Sequence, residues 1–394
     1  MRWVSTIHEG SDLGDAAASA LVTIRRALRD APVDLVLIFA TGEHGEGLRE
    51  LGRVFRQELA GATVVGCTGG GVLGDGRELE SGHGLAVLAG SLPGVQIASA
   101  HVPWDRLPGL EDVARWDEML GLDGEAEPQL VILSDPFTSS PDALLASLDA
   151  RWPMSPKIGG LASSGREPGE NTLWLDDHVY DSGNVVLALT GDVRIDPLVA
   201  QGCRPVGDPM FITRCDRHIL WELDGRTAVE ALDSTFTALS PEDQSRARQA
   251  LFLGLAMRPE ERYGRGDYLI RHLLGTDAER GLIAVGANLR AGTVAQFHVR
   301  DRETSAEDLR LLLYGYQAWV DQGRATPAAA LLFTCAGRGQ RLYGEPDHDS
   351  GMIRATLGEQ LPLAGFFGAG ELGPVQGRTY LHGYTSAVGL IRPR

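Results

Sequence analysis

The sequence predicts a mixed α/β (α+β) fold of repeated β-α-β-β units, with mixed sheets stacked as helix-sheet-sheet-helix layers in two domains. Three observations predict it: short, wholly apolar runs of strand length, amphipathic helices that alternate with them, and a recurrence of that order. The runs "DLVLIFA" from Asp34, "QLVILSD" from Gln129, "LIAVGA" from Leu282 and "AALLFTCAG" from Ala329 read as buried strands. Helices are marked by period and cap. Leu13, Ala17, Leu21, Ile24 and Leu28 keep to one face until Ala31 and Pro32 stop the run. Ser140 and Pro141 read as N-cap and first helical position, followed by Leu144, Leu148 and Trp152. Ser305 with Asp308 reads as a capping box ahead of a stripe of Leu309, Leu312, Leu313, Tyr316 and Trp319.

The recurrence carries the most information. "DLVLIFA", a helix from Leu48 to Leu59, "TVVGCTGGG" and "GHGLAVLAG" form one unit. "QLVILSD", a helix from Asp142, "PKIGGLASSG" and "GNVVLALTG" form a second, and "AALLFTCAG", a helix near Met352 to Leu357, "PLAGFFGAGELG" and "LHGYTSAVGLI" a third. Gly66, Gly159 and Gly365 take the same place in each, ahead of small residues that suggest a hairpin, where glycine tolerates positive φ and close backbone approach. Such hairpins demand antiparallel neighbours, which favours layered mixed sheets over a doubly wound parallel one.

Composition bounds the function. With 394 residues, 43% hydrophobic and 23% charged, the chain can fill two or three cores. A formal net charge of −17 argues against nucleic acid and anionic membranes, which need a basic face. The four cysteines show no CxxC or zinc-type spacing, and "MRWVSTIHEG" lacks an export pattern, so the expected compartment is the cytoplasm. No apolar run approaches the roughly 20 residues a membrane helix needs.

Polar residues gather in the third unit. Cys335 and Arg338 follow a buried strand, at the carboxyl edge where α/β sheets hold ligands. Glu371 lies in the glycine hairpin, with His382 and Thr385 on or beside the returning strand. Arg338 offers a fork for a carboxylate, Glu371 an acceptor for an ammonium, and the glycine run a nest of N–H groups, which together complement an amino acid. Two plainer readings stay open at this point: a sheet-edge salt bridge for the Arg and Glu, and a buried small hydrophobe for Cys335.

The stretches "GCTGGGVLGDG", "LDGRTAVEAL", "F-x-C-x-x-R-G" from Phe333 and "G-F-F-x-x-G-E-x-G-P" from Gly365, followed by "LHGYT", resemble the FIST N and FIST C domains over nearly the whole chain. The resemblance implies an N-terminal domain over residues 1–217 and a C-terminal domain over 218–394. It implies signal transduction by a sensory domain that binds a small ligand, amino acids among the proposals. Carried over by motif, the ligand-binding residues are Gly66, Cys67 and Thr68 and then Cys335, Arg338, Phe366, Phe367, Gly370, Glu371 and His382, to which the polar set adds Thr385. No kinase, chemotaxis or F-box segment accompanies them, so output is expected through a separate signalling partner such as a kinase. Two alternatives remain. Some family members are haem-binding nitric oxide sensors, for which His83 or His382 would be the axial ligand, though no haem motif is present and no cofactor is expected. The other is a cysteine enzyme with Cys335 as nucleophile, His382 as base and Glu371 orienting it.

Overall fold

A computed structural model describes residues 1–394 and divides them into two compact units. The first comprises Met1–Val199, Arg310–Leu381 and Thr385–Arg394, the second Ala200–Leu309 with His382–Tyr384. The join expected near Arg217 therefore falls inside the second unit, and the third repeat packs with the first two. The reason lies in strand exchange among the repeats.

Each repeat begins with a leading strand that runs antiparallel to its return strand: Arg2–Glu9 beside Gly84–Ser91 in the first and Val95–Val102 beside Asn184–Gly191 in the second. In the third, Arg194–Ala200 neighbours Ser386–Arg392 in the sheet. A parallel pair follows, Leu35–Thr41 with Thr63–Gly69, Gln129–Ser134 with Lys157–Leu161, and Ala329–Cys335 with Leu363–Gly368. Helices Leu48–Glu58, Pro141–Arg151 and His348–Leu357 make the crossovers. The hairpin before each return strand then leaves its own sheet. Val72–Gly74 pairs with Leu363–Gly368, Leu173–Leu175 with Thr63–Gly69, and Gly370–Val375 with Lys157–Leu161, so each repeat lends a hairpin to another in a closed cycle. No repeat completes its sheet alone. The expected layering of helices outside and sheets inside is present, with three sheets around one core.

The register explains the glycines. Gly66 lies opposite Ile38, Gly159 opposite Ile132 and Gly365 opposite Leu332. A Cβ there would stand 2.1, 1.9 and 1.7 Å from the facing carbonyl oxygen, closer than any atom tolerates. Close strand approach is thus what selects glycine, and none of the three has positive φ. Positive φ falls instead at the hairpin tips, Asp75-Gly76 and Gln376-Gly377, as two-residue turns require.

The inner faces of all three sheets share one apolar core, where Phe39, Phe333 and Phe366 meet at centroid distances of 5.4 to 6.2 Å. The outer face of the first sheet is covered by Leu13–Leu28 and Leu48–Glu58 through Ala17, Leu21, Ile24, Leu51 and Phe55. Asp12 caps the first of these helices by accepting the Asp15 N–H at 2.9 Å. Ser140 is the N-cap and Pro141 opens helix Pro141–Arg151 as expected, although the Ser140 side chain makes no cap bond. One expectation needs correction. Ser305 and Asp308 are no capping box: the helix Arg302–Asp321 begins earlier, Asp301 accepts the Thr304 N–H at 2.7 Å, Ser305 donates to the Gly202 carbonyl, and Asp308 accepts the Gln201 N–H. Along the same helix Leu313 and Tyr316 are buried, but Trp319 is exposed under the Arg324 guanidinium, 4.7 Å from its ring.

The second unit interrupts the third repeat between its leading strand and Ala329–Cys335. Its strands are antiparallel and run in the order Cys203–Asp216, Val294–Arg300, Leu251–Ala256, Tyr268–Asp277, Leu282–Val285, Ile219–Leu223. Cys203–Asp216 also pairs with Ile219–Leu223, which closes the sheet into a barrel, and the two-residue strand Arg226–Thr227 adds to Ile219–Leu223. Helix Ala228–Ala238 starts at a true capping box of Thr227 and Glu230 and packs Ala228 and Ala231 into the barrel core.

Candidate functional site

Strand Ala329–Cys335 is buried as far as Thr334 and ends where the Cys335 N–H donates to the Thr385 carbonyl at 3.0 Å. The chain then turns tightly, with the Arg338 N–H on the Cys335 carbonyl at 2.8 Å, and this turn folds the Arg338 side chain back into the protein. Its guanidinium is completely buried. Nε donates to Asp349 Oδ2 at 2.7 Å and Nη2 to Asp349 Oδ1 at 3.1 Å, a two-pronged pair, while Nη2 also donates to the Tyr343 hydroxyl. Nη1 is buried with no hydrogen-bond partner.

Asp349 lies in the first turn of helix His348–Leu357, where a carboxylate also suits the helix dipole. It accepts from Ser386 Oγ, from Thr334 Oγ1 at 3.4 Å and from the His348 ring at 2.9 Å, and the His348 ring stacks on Tyr343 at 3.4 Å. Burial by itself would raise the Asp349 pKa. The Arg338 charge and these hydrogen bonds outweigh it and hold the carboxyl well below the usual carboxylate range. Arg338 in turn is raised above its ordinary value by Asp349 against its own burial.

The first repeat joins this cluster through its exchanged hairpin. Glu78, in strand Arg77–Leu79, donates its N–H to Asp347 at 2.6 Å and accepts the Ser350 N–H on Oε1 at 2.7 Å. Two residues on, Glu80 accepts the Gln340 N–H at 2.6 Å. Burial, then repulsion from Asp349, pushes the Glu78 carboxyl up to about 8 despite the bond from Ser350, so it is largely protonated at neutral pH.

The predicted residues divide into groups. Cys335, Arg338, Glu371 and Thr385 form one hydrogen-bonded chain, since Glu371 Oε2, fully buried, accepts the Thr385 N–H at 3.1 Å. Cys335 is half-buried, with its sulfur accepting the Gly337 N–H at 3.4 Å. Arg338 takes Asp349 as its ionic partner in the structure, whereas the sequence paired it with Glu371. Phe366 belongs to the central core, and Phe367 offers its carbonyl to the Gly70 N–H and to Ser163 Oγ where the three repeats meet. Gly370 pairs with Leu161 at the start of its hairpin. Gly66 and Cys67 lie in the parallel pair, the Cys67 thiol pushed well up by burial, and Thr68 Oγ1 accepts the Thr172 N–H at 2.9 Å. His382 is buried and groups with the second unit, while His83 packs edge-on to His44. Asp349, Tyr343, Ser386 and Glu78 were missed. An acid at a helix start reads as an ordinary dipole partner, and nothing local to "GRELE" says that its first Glu will be buried.

The combination of an N-terminal glycine-break repeat with the Arg338 and Glu371 motifs is matched by family models for the FIST N domain over residues 34–226 and the FIST C domain over residues 228–374. The chain belongs to the FIST family. FIST domains are small-ligand sensory domains of signal transduction. Relatives share 32% identity: an uncharacterized protein of Mycobacterium tuberculosis, with 98% of each chain covered, and one of Mycobacterium bovis, with 96% of each. Among solved structures, cyanuric acid hydrolase from A. caulinodans is similar at a TM-score of 0.38 and 9% identity, covering all of this chain and 99% of that one. This FIST chain has no helix long and apolar enough to cross a membrane, and no group of three or more His, Cys, Asp or Glu side chains placed to hold a metal ion.

Proposed function

We propose that this FIST protein is a non-catalytic sensor that binds an amino acid at the end of strand Ala329–Cys335 and signals through a separate protein, such as a kinase. The observation that carries the reading is Arg338 Nη1, a charged donor held in the interior with nothing to donate to. An unmet buried donor destabilises a protein by about 1–3 kcal/mol, so a fold that keeps one gains when a ligand oxygen arrives. A ligand carboxylate supplies that oxygen. Glu371, buried and linked to the same strand end by two hydrogen bonds through Thr385, is the acceptor for the ammonium group. The three-sided pairing of Arg338 with Asp349 and Tyr343 holds the guanidinium plane still, which suits a binding group better than a reacting one. Four cysteines outside any disulfide support a cytoplasmic workplace.

The test is thermal denaturation of the full chain with each of the 20 common amino acids. A cognate ligand at 100 times its Kd adds about 2.7 kcal/mol of stability. Arg338→Lys retains a charge for Asp349 but lacks Nη1, and is expected to weaken binding roughly 10- to 150-fold. Equal binding by parent and Arg338→Lys would move the pocket elsewhere. A haem Soret band that survives gel filtration after haemin is added would replace this reading with the haem sensor.

A further inference from the structure

We propose that Glu78 is a second ligand-contacting residue of this site, placed by the first repeat's exchanged hairpin to donate a hydrogen bond to the carboxylate that Arg338 receives. The inference rests on the reading of Arg338 as carboxylate receiver and adds to it a donor from a distant part of the chain and a dependence on pH.

Three observations lead to it. Arg338 and Glu78 grip adjacent residues of one helical turn, the first through the Asp349 carboxylate and the second through the Ser350 N–H. Each then has one buried polar atom without a hydrogen-bond partner, Nη1 on Arg338 and Oε2 on Glu78, and the Ser350 hydroxyl is buried beside the Glu78 carboxyl. Finally, the charge of Arg338 is already matched by Asp349. A bound carboxylate is therefore a second anion for one cation, among side chains that are themselves buried. Such a ligand is tolerated only if the remaining acid beside it is neutral and donates.

The groups around Glu78 favour that state. Asp349 and Asp347 face it from the helix start and Ser350 from the same turn, while Arg77 precedes it on its own strand and Glu80 lies just past the strand's end. Arg338 is the cation of this cluster and is engaged by Asp349, and His348 is likewise turned to Asp349. With the carboxyl raised to about 8, the proton is present at pH 6 and largely gone at pH 9. Ionised Glu78 would put three carboxylates against one guanidinium, so ligand and ionised Glu78 exclude each other.

Acetate is the probe, because it carries the carboxylate and does not titrate between pH 6 and 9; the amino acids of the preceding screen serve beside it. Affinity of the parent for carboxylate at pH 9 is expected to be about tenfold below that at pH 6, the fraction of protein with Glu78 protonated having fallen by that factor. Glu78→Gln retains the acceptor for Ser350 and a neutral donor at the Oε2 position, and its affinity is expected to be the same at both pH values. A flat profile in the parent, or an unchanged fall in Glu78→Gln, overturns the proposal while leaving Arg338 as receiver. If neither acetate nor any amino acid stabilises the parent at either pH, both readings fall together. Should Glu78→Gln fail to fold, calorimetry of the parent at pH 9 in two buffers of different ionisation enthalpy decides: uptake of close to one proton per ligand supports the proposal, and uptake of none overturns it.

Discussion

Strands Gln129–Ser134 and Ala329–Cys335, which open the parallel pairs of the second and third repeats, end at the same place in the fold and hold buried charged side chains there in opposite ways. Asp135, fully buried after strand Gln129–Ser134, accepts from the Phe137 N–H, the Thr138 N–H and hydroxyl, and Asn171 Nδ2, at 2.6 to 3.1 Å. Its charge is met by local donors. Arg338, after the equivalent strand of the third repeat, is met by Asp349 and Tyr343 but keeps Nη1 unused, and Glu78 beside Ser350 keeps Oε2 unused. A saturated end is a turn held shut. The end with an unused donor is the one proposed to receive a ligand, which is why the candidate site is assigned to one repeat although the backbone is used three times.

The comparison can be broken first by stability. Arg338→Ala leaves Asp349 buried without its cation and is expected to destabilise the protein by about 3–5 kcal/mol. Asp135→Asn retains an acceptor among neutral donors and should lose about 1–3 kcal/mol. Urea melts of both variants check this, and equal losses would mean that the two ends serve one structural purpose. Next in size are the three glycines, which ought not to distinguish the repeats. Gly66→Ala, Gly159→Ala and Gly365→Ala each force a Cβ against a backbone carbonyl and should each destabilise by about 3 kcal/mol or prevent folding. A neutral Gly365→Ala would disprove the shared register.

Two pH effects are expected at similar scale and with opposite sign. Burial lowers His298 to about 4, so its folded pKa lies below the unfolded 6.5; stability is complete above 6.5 and lost as pH falls toward 4, by about 3 kcal/mol. Glu78 is raised to about 8, so its folded state resists ionisation and stability is lost as pH rises from about 4.5 to 8. Glu78→Gln should thus melt with the parent at pH 4 and above it at pH 9, while His298→Phe, if it folds, should remove the acid limb. Smallest of all is the chemistry of Cys335. Its labelling by iodoacetamide at pH 7 is expected to be no faster than that of half-buried Cys215. Rapid, selective labelling of Cys335 would restore the cysteine-enzyme alternative.

Much of the architecture could be read from residue order. Wholly apolar strands, the Asp12 cap, the Thr227 capping box and the thrice-repeated glycine break are local signals, because backbone sterics and one-sided burial act over a few residues. The break is legible in its place, and of the two reasons residue order offers, positive φ at a turn and close backbone approach, the second holds: a facing carbonyl excludes a side chain. Cys335, Arg338, Glu371 and Thr385 were also visible, since they follow or border strands in one repeat.

What residue order left undecided is everything that crosses between repeats. A two-residue hairpin has the same turn chemistry whether it folds on its own sheet or on another, so the closed exchange of Val72–Gly74, Leu173–Leu175 and Gly370–Val375 has no local mark. That exchange alone brings Glu78 to Ser350 across 272 positions, and the return of the chain alone brings Ser386 to Asp349. The partner of a buried charge is chosen by long-range packing, where desolvation makes one arrangement of acids and Arg338 tolerable and the others not. Residue types announced a binding chemistry; the folded interior selected Asp349 as the ion-pair partner and left Arg338 Nη1 without one.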